Sequence, residues 1–298
     1  MDKGDRGTCL IVEIDNFKKN VCIVEIENSS FCNRKCSYCI NHYIDRYSQN
    51  EKMPIELFEK IIDELAEINY DRMVTFHRYN EPFYDKNTMI IERIAYARKK
   101  LNNANLVASS NSDYLDSEYV QEIRMAGLDS LYCQCQTEGY GSVSVDDIKE
   151  RILAINKRIG NFRGKFIVNE ESCVFTTIGS GFTSLTIQAR DFTNSGFNRG
   201  GIVKNIISKE CEGVCYQPLI SFTIDYNGKV TGCSNTVSYY DGHDEFVIGD
   251  VNMNTIFEIY KTPKAIALRR KLLEEERQGI CKGCKCSYEK YARKYGIV

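Results

Sequence analysis

Residues 20–39 read NVCIVEIENSSFCNRKCSYC, an apolar run that passes straight into three closely spaced cysteines, and this stretch decides the fold. NVCIVEIE has the β-branched, alternating texture of a strand. Cys32, Cys36 and Cys39 then follow on what the pattern makes a loop, in the order Cys-x-x-x-Cys-x-x-Cys. A loop of that length can wrap three corners of a cubane iron–sulfur cluster and leave the fourth iron without a protein ligand. A zinc knuckle is the competing reading, but zinc sites favour Cys-x-x-Cys pairs with a fourth ligand close by.

Moving outward, CLIVEID (9–15) and NVCIVEIE, separated by NFKK, predict a β-hairpin or two short strands, with an N-terminal β extension over residues 1–20. Beyond the cysteines, PIELFEKIIDELAEINY has helical spacing with Pro54 in its first turn. RMVTFHR predicts a strand, TMIIERIAYARKKL a helix and ANLVAS a strand. Asp116 caps a helix that closes at Gly127. LDSLYCQCQ predicts a strand, VDDIKERILAINKRIG a helix, and KFIVN and SLTIQA two further strands. Strands alternating with amphipathic helices predict an α/β fold, a parallel sheet or partial barrel, with reactive groups on loops at the carboxyl ends of the strands. From about Cys211 the texture changes: FTIDYNGKVTGC predicts a hairpin turning at Tyr226-Asn227-Gly228, and one helix is expected through FEIYKTPKAIALRRKLLEEER.

Composition narrows the chemistry. The chain has 298 residues, a net charge of −2 and no lysine- or arginine-rich tract, which argues against nucleic-acid or anionic-membrane partners. No apolar run reaches the ~20 residues a membrane span requires, and the N-terminus meets acidic residues too early for a signal peptide. A cytoplasmic protein is expected. Fourteen cysteines against three histidines favour thiolate iron–sulfur ligation over mixed Cys/His zinc sites.

The cysteine spacing, with Tyr38 just before Cys39, resembles the signature of the radical S-adenosylmethionine (SAM) superfamily. That resemblance implies a [4Fe-4S] cluster with SAM at its open iron, on a partial (β/α)6 TIM-like barrel over residues 21–205. His77 to Pro82 then resembles the family's Gly-Gly-Glu segment, which meets the SAM amino group through backbone oxygens and a carboxylate. Asn80 stands where glycine is usual, while Glu81 and Pro82 match. Ser109, Ser110 and Asn111 fall where a Thr-Asn-Gly segment approaches the SAM methionine or ribose, and Arg190 is implied at the SAM carboxylate. Without the family, Asn-Glu-Pro is an ordinary turn and the serines cap a loop.

Cys215, Cys233, Cys281 and Cys284 resemble the SPASM or twitch extension, which holds auxiliary clusters. Four thiolates suffice for one auxiliary [4Fe-4S] cluster, with Cys211 and Cys286 as spare candidates and residues 206–298 as the domain. A zinc ribbon is the alternative for this segment alone. Asn198-Arg199-Gly200-Gly201 and the 18-residue step from Cys215 to Cys233 are similar to twitch-type dehydrogenases of aminoglycoside biosynthesis. That likeness implies Arg199 beside the substrate; the Cys173 loop has no counterpart.

The resemblance implies cleavage of SAM to a 5′-deoxyadenosyl radical that abstracts a substrate hydrogen. Oxidation of a polar small molecule, with the auxiliary cluster as electron acceptor, is the leading expectation. Epimerisation is the second: Cys133 and Cys135 share one side of a strand and are candidate hydrogen donors if that side faces the cavity, or plain packing residues if it does not. Ribosomal-peptide maturation is a third, though only 31 residues precede Cys32 and no N-terminal leader-binding domain is expected. A non-enzymatic electron carrier is disfavoured by the open three-cysteine group. An electron donor such as flavodoxin or ferredoxin is implied.

Overall fold

In a computed structural model the described residues are 16–46, 48, 50–85, 89–136, 143–192, 196–206, 213–284 and 286–297. The CLIVEID half of the expected N-terminal hairpin, and Cys211, lie outside them. NFKK is not a turn between strands: Phe17–Asn20 is a helical turn (α1) capped by the Asn16 side chain.

The core of the fold is a run of strand–helix units: β1 (Ile23–Ile26), α2 (Ile55–Glu67), β2 (Met73–Thr75), α3 (Ile90–Lys100), β3 (Asn105–Ser110), α4 (Ser117–Met125), β4 (Ser130–Gln134) and α5 (Val145–Ile159). Each helix forms for a local reason. On α2 the positions Leu57, Phe58, Ile61, Ile62 and Leu65 are buried, a stripe at 3.6-residue period that packs on the sheet. Asp116 and Ser144 accept hydrogen bonds from the third residues of α4 and α5, as capping residues do. Gly127, just past α4, sits at φ +103, a conformation with the Arg98 side chain packed where a Cβ would stand.

After α5 the expected strand–helix alternation gives way to an antiparallel meander. β5 (Arg163–Val168) pairs with β6 (Ser172–Ile178), and β6 pairs with β7 (Ser184–Arg190), which returns beside β4 in parallel. SCVFTTI reads as a strand by composition, and sequence reasoning passed over it because it lies between two stronger candidates. The predicted hairpin is present as β8 (Ser221–Ile224) and β9 (Lys229–Thr231), preceded by the short helix α6 (Gln217–Ile220) and extended by β10 (Val247–Asp250). β8 also lies parallel to β1. The sheet is therefore ten-stranded, in the order β10-β9-β8-β1-β2-β3-β4-β7-β6-β5. Its parallel centre runs from β8 to β7, the expected partial barrel.

The single helix expected over FEIYKTPKAIALRRKLLEEER is two, α7 (Ile256–Tyr260) and α8 (Pro263–Leu273). Pro263 lacks an N–H and so starts a helix instead of continuing one, with Thr262 as its cap. A last helix, α9 (Glu289–Lys294), places Ala292 against Ile23 and Leu219. No helix among the described residues is long and apolar enough to cross a membrane.

Candidate active site

The carboxyl ends of the parallel strands open into a cavity of about 380 Å3. The loop after β1 brings Cys32, Cys36 and Cys39 to its rim, together with Tyr38, and all three thiols are partly exposed. The loop is held by short-range bonds: Cys39 N–H donates to Cys36 O at 2.9 Å, and Glu81 N–H to Phe31 O at 2.8 Å. Burial pushes the Cys32 thiol up to about 11, so its thiolate needs a cation to compensate it.

Glu81 is the organising acid. It is 2 % exposed, and its carboxylate accepts from Ser110 Oγ at 2.8 Å and from the Asn111 and Phe83 backbone N–H groups at 2.6 and 3.2 Å. Burial outweighs those donors and raises its carboxyl to about 7. Asn80 folds back to accept from Arg78 N–H at 3.0 Å, which leaves its buried Nδ2 without a partner among the described residues. Asn111 Nδ2 reaches Asn33 Oδ1 at 2.7 Å and lies 3.9 Å from the Cys32 sulfur. His77 accepts from the Ser109 N–H at Nδ1, 3.0 Å away, and burial lowers its imidazole to about 4. It is a neutral structural pin between the ends of β2 and β3.

Of the expected cofactor-facing residues, Tyr38, Asn80, Glu81, Ser109, Asn111 and Arg190 line this cavity. Pro82 does not; it borders a separate cavity behind the cysteine loop. Arg199 does line it, with Nη1 donating to Asn235 Oδ1 at 2.8 Å and its guanidinium 5.5 Å from the Tyr79 ring centre. Of the two readings of Cys133 and Cys135, packing holds and the role of cavity-facing hydrogen donors does not. Both are buried in the core between sheet and helices, at 0 % and 3 % exposure, while Gln134 and Gln136 take the cavity side. A strand alternates its faces, so cysteines and glutamines in LYCQCQ cannot share one. Cys173 belongs to the same buried core.

Sequence reasoning missed those glutamines, Gln188 across from Gln134, and Phe192. Tyr38 stacks on Phe192 with ring centres 3.9 Å apart and its hydroxyl donates to Gln136, whose Oε1 also lies 3.6 Å from the Cys36 sulfur. The polar alternation at positions 134, 136 and 188 was the available signal. Arg78 was also missed: it forms a buried ion pair with Asp225 and donates to Thr231 and the Thr236 carbonyl, so the loop after β2 is tied to the β8–β9 hairpin.

The second thiol group gathers beside that hairpin. The Cys233 thiol is raised by burial and then by the adjoining Cys215, Cys284 and Cys281 thiols, and Cys281 is raised by burial, Cys215 and Cys284. Cys215, Cys281 and Cys284 are thus electrostatic neighbours of Cys233, while no three Cys, His, Asp or Glu residues among the described ones are grouped as for a single metal ion. Cys286 joins them as a fifth thiol, sharing a hydrogen bond with Cys284 that lowers the Cys284 thiol and raises its own. Arg277 staples the segment, donating to the carbonyls of Gly213, Val214, Cys284 and Cys286. Soft thiolates alone, massed in two groups, are the donor set that iron–sulfur clusters use.

Comparison with known proteins agrees. The model of the radical SAM superfamily matches residues 26–162, and that of SPASM, an iron-sulfur cluster-binding domain, matches residues 215–285. The chain is 23% identical over 265 residues to S-adenosyl-L-methionine-dependent 2-deoxy-scyllo-inosamine dehydrogenase of Niallia circulans, covering 88% of this chain and 92% of that protein. Its fold is similar to BtrN in a crystal structure with AdoMet and 2-DOIA (TM-score 0.67, 19% identity, 89% of this chain and 92% of that one). An open conformation of BtrN is also similar (TM-score 0.57, 16% identity, 90% and 97%). A SAM-binding [4Fe-4S] cluster and auxiliary iron–sulfur chemistry come with the two matched domains. The two matches together span more than two thirds of the residues, and the chain belongs to the radical SAM superfamily, as an enzyme with a C-terminal SPASM domain.

Proposed function

We propose that this enzyme oxidises a hydroxyl-bearing small molecule of the amino sugar or cyclitol type, and that its auxiliary cluster accepts the electron. One observation carries the reading: the cavity that holds Cys32, Cys36 and Cys39 at its rim has a wall, Arg199 and Tyr79, hydrogen-bonded to the residues that follow Cys233. The name of the Niallia circulans relative, a dehydrogenase, and the 2-DOIA in the BtrN crystal point the same way.

When bound, the cluster at Cys32, Cys36 and Cys39 supplies the electron that cleaves SAM to a 5′-deoxyadenosyl radical. The residues around it bind and orient. Asn80, Glu81, Ser109, Asn111 and Arg190 would hold SAM, and the buried Asn80 Nδ2 and Arg199 Nε are donors with no partner among the described residues. Tyr38 and Phe192 would close the rim against water. Gln134, Gln136, Gln188 and Arg199 offer the hydrogen bonds a polyol needs, and a polar wall of this kind rejects an analogue that lacks the matching hydroxyl. Cys215, Cys233, Cys281 and Cys284 would hold one auxiliary four-iron cluster, with Cys286 in reserve. In this reading residues 21–205 form the barrel unit and 206–298 the auxiliary unit, with β8 shared between them. A flavodoxin or ferredoxin would supply electrons, in the cytoplasm.

The test is anaerobic incubation of reduced enzyme and SAM with 2-deoxy-scyllo-inosamine and related amino cyclitols. The expected products are 5′-deoxyadenosine and a ketone two hydrogens lighter than the substrate. Solvent deuterium in a product of unchanged oxidation level would replace oxidation with epimerisation, and no SAM cleavage with any of them would sink the reading.

A further inference from the structure

Arg199 is a cation without a carboxylate within ion-pair distance among the described residues. It stands at the only wall that touches both cysteine groups among the contacts described above. On one side it lines the cavity with Cys32, Cys36 and Cys39. On the other, Nη1 holds Asn235 Oδ1 at 2.8 Å, and the Asn235 backbone N–H in turn donates to the Cys233 sulfur at 3.4 Å. The guanidinium lies over the Tyr79 ring, whose hydroxyl donates to Ser234 O at 2.8 Å and whose carbonyl accepts from Asn41 Nδ2, two residues past Cys39, at 2.8 Å.

The placement is enforced. Arg199 has a left-handed backbone at φ +51, which a non-glycine residue adopts only when its surroundings hold it there. His243 does the holding: its ring bonds Gly200 O at 3.1 Å and the Val237 N–H at 3.0 Å, fastening the arginine's loop to the loop after Cys233.

We propose that Arg199 is an electrostatic positioning residue that raises the reduction potential of the auxiliary cluster, making it the better electron acceptor of the two sites. This rests on the reading of Cys215, Cys233, Cys281 and Cys284 as cluster ligands. The physical reason is that reduction adds negative charge to the cluster, and a fixed cation in a low-dielectric wall stabilises the more negative state. Arginine suits the task because it stays protonated and its planar head can stack on Tyr79 while bonding Asn235.

The test is a redox titration followed by electron paramagnetic resonance, on full-length protein carrying C32A/C36A/C39A so that only the auxiliary signal remains, without SAM or substrate. About four irons per chain in that background are required; markedly fewer would overturn the auxiliary-cluster reading itself, whatever Arg199 does. With iron retained, R199Q should lower the reduced-to-oxidised ratio at fixed potential at least tenfold, a downward shift of 59 mV for a one-electron couple. R199K, which keeps the charge, should stay within about threefold of the parent. A ratio in R199Q equal to the parent's overturns the proposal, and so does R199K falling as far as R199Q. Should R199Q lose iron, N235A decides. It keeps the backbone N–H to Cys233 and the arginine's charge but frees the guanidinium, so its potential should also fall, and an unchanged value overturns the proposal.

Discussion

At the scale of single residues, burial decides more than identity does. Glu81 is buried and His77 half-buried at the cavity, yet both titratable groups act as fixed hydrogen-bond acceptors at the ends of β2 and β3. Removing the acceptor in E81A strands the Asn111 N–H and the Ser110 hydroxyl, each costing about 1–3 kcal/mol. A calorimetric SAM titration should then show at least tenfold weaker binding than wild type. His77 gives a pH signature. Its folded-state value of about 4 lies below the ordinary 6.5, so the unfolded chain takes up a proton that the folded chain refuses. The stability it contributes is full above about 6.5 and falls as pH drops toward 4. Urea denaturation of wild type and H77N between those limits should show a one-proton slope in the difference; parallel curves would refute it. The cysteine triplet was legible because its spacing is local. The cavity glutamines were not, because LYCQCQ offers two faces and the cysteines drew the eye to the wrong one.

At the scale of elements, the parallel strands and their helices were readable from period alone, since each helix carries its own apolar stripe and cap. The β5–β6–β7 meander was not, because SCVFTTI went unread between KFIVN and SLTIQA, although its pairings are local, Val168 facing Cys173 and Thr176 facing Thr186. Nor was the break between α7 and α8 read from Pro263, although the residue was in plain view. The Asp116 cap is a direct check: D116A should cost about 1 kcal/mol in thermal or chemical unfolding. A larger penalty attaches to the link between β2 and β8. R78M leaves Asp225 buried and uncompensated, and should destabilise by about 3–5 kcal/mol, while R78M/D225N should recover part of it. No recovery in the double variant would mean that the ion pair is not what joins the two elements.

At the scale of the whole molecule, two thiol groups face one cavity wall from opposite sides. Anaerobically reconstituted protein should hold about eight irons per chain. Replacing Cys32, Cys36 and Cys39 with alanine should leave about four and abolish SAM cleavage; C233A should lower iron toward four and spare some 5′-deoxyadenosine formation. A wild-type content near four would remove one of the two clusters. The β1–β8 pairing carries a further consequence, for biogenesis. Thr223 and Glu25, partners across those strands, are 198 residues apart in the chain. During synthesis β1 therefore waits with an open edge until nearly three quarters of the polypeptide has been made, a late closure that slows folding and invites pairing with other chains. A fragment ending near residue 205 should aggregate where the full chain stays monodisperse, and newly made protein should depend on chaperones until its penultimate hairpin emerges from the ribosome.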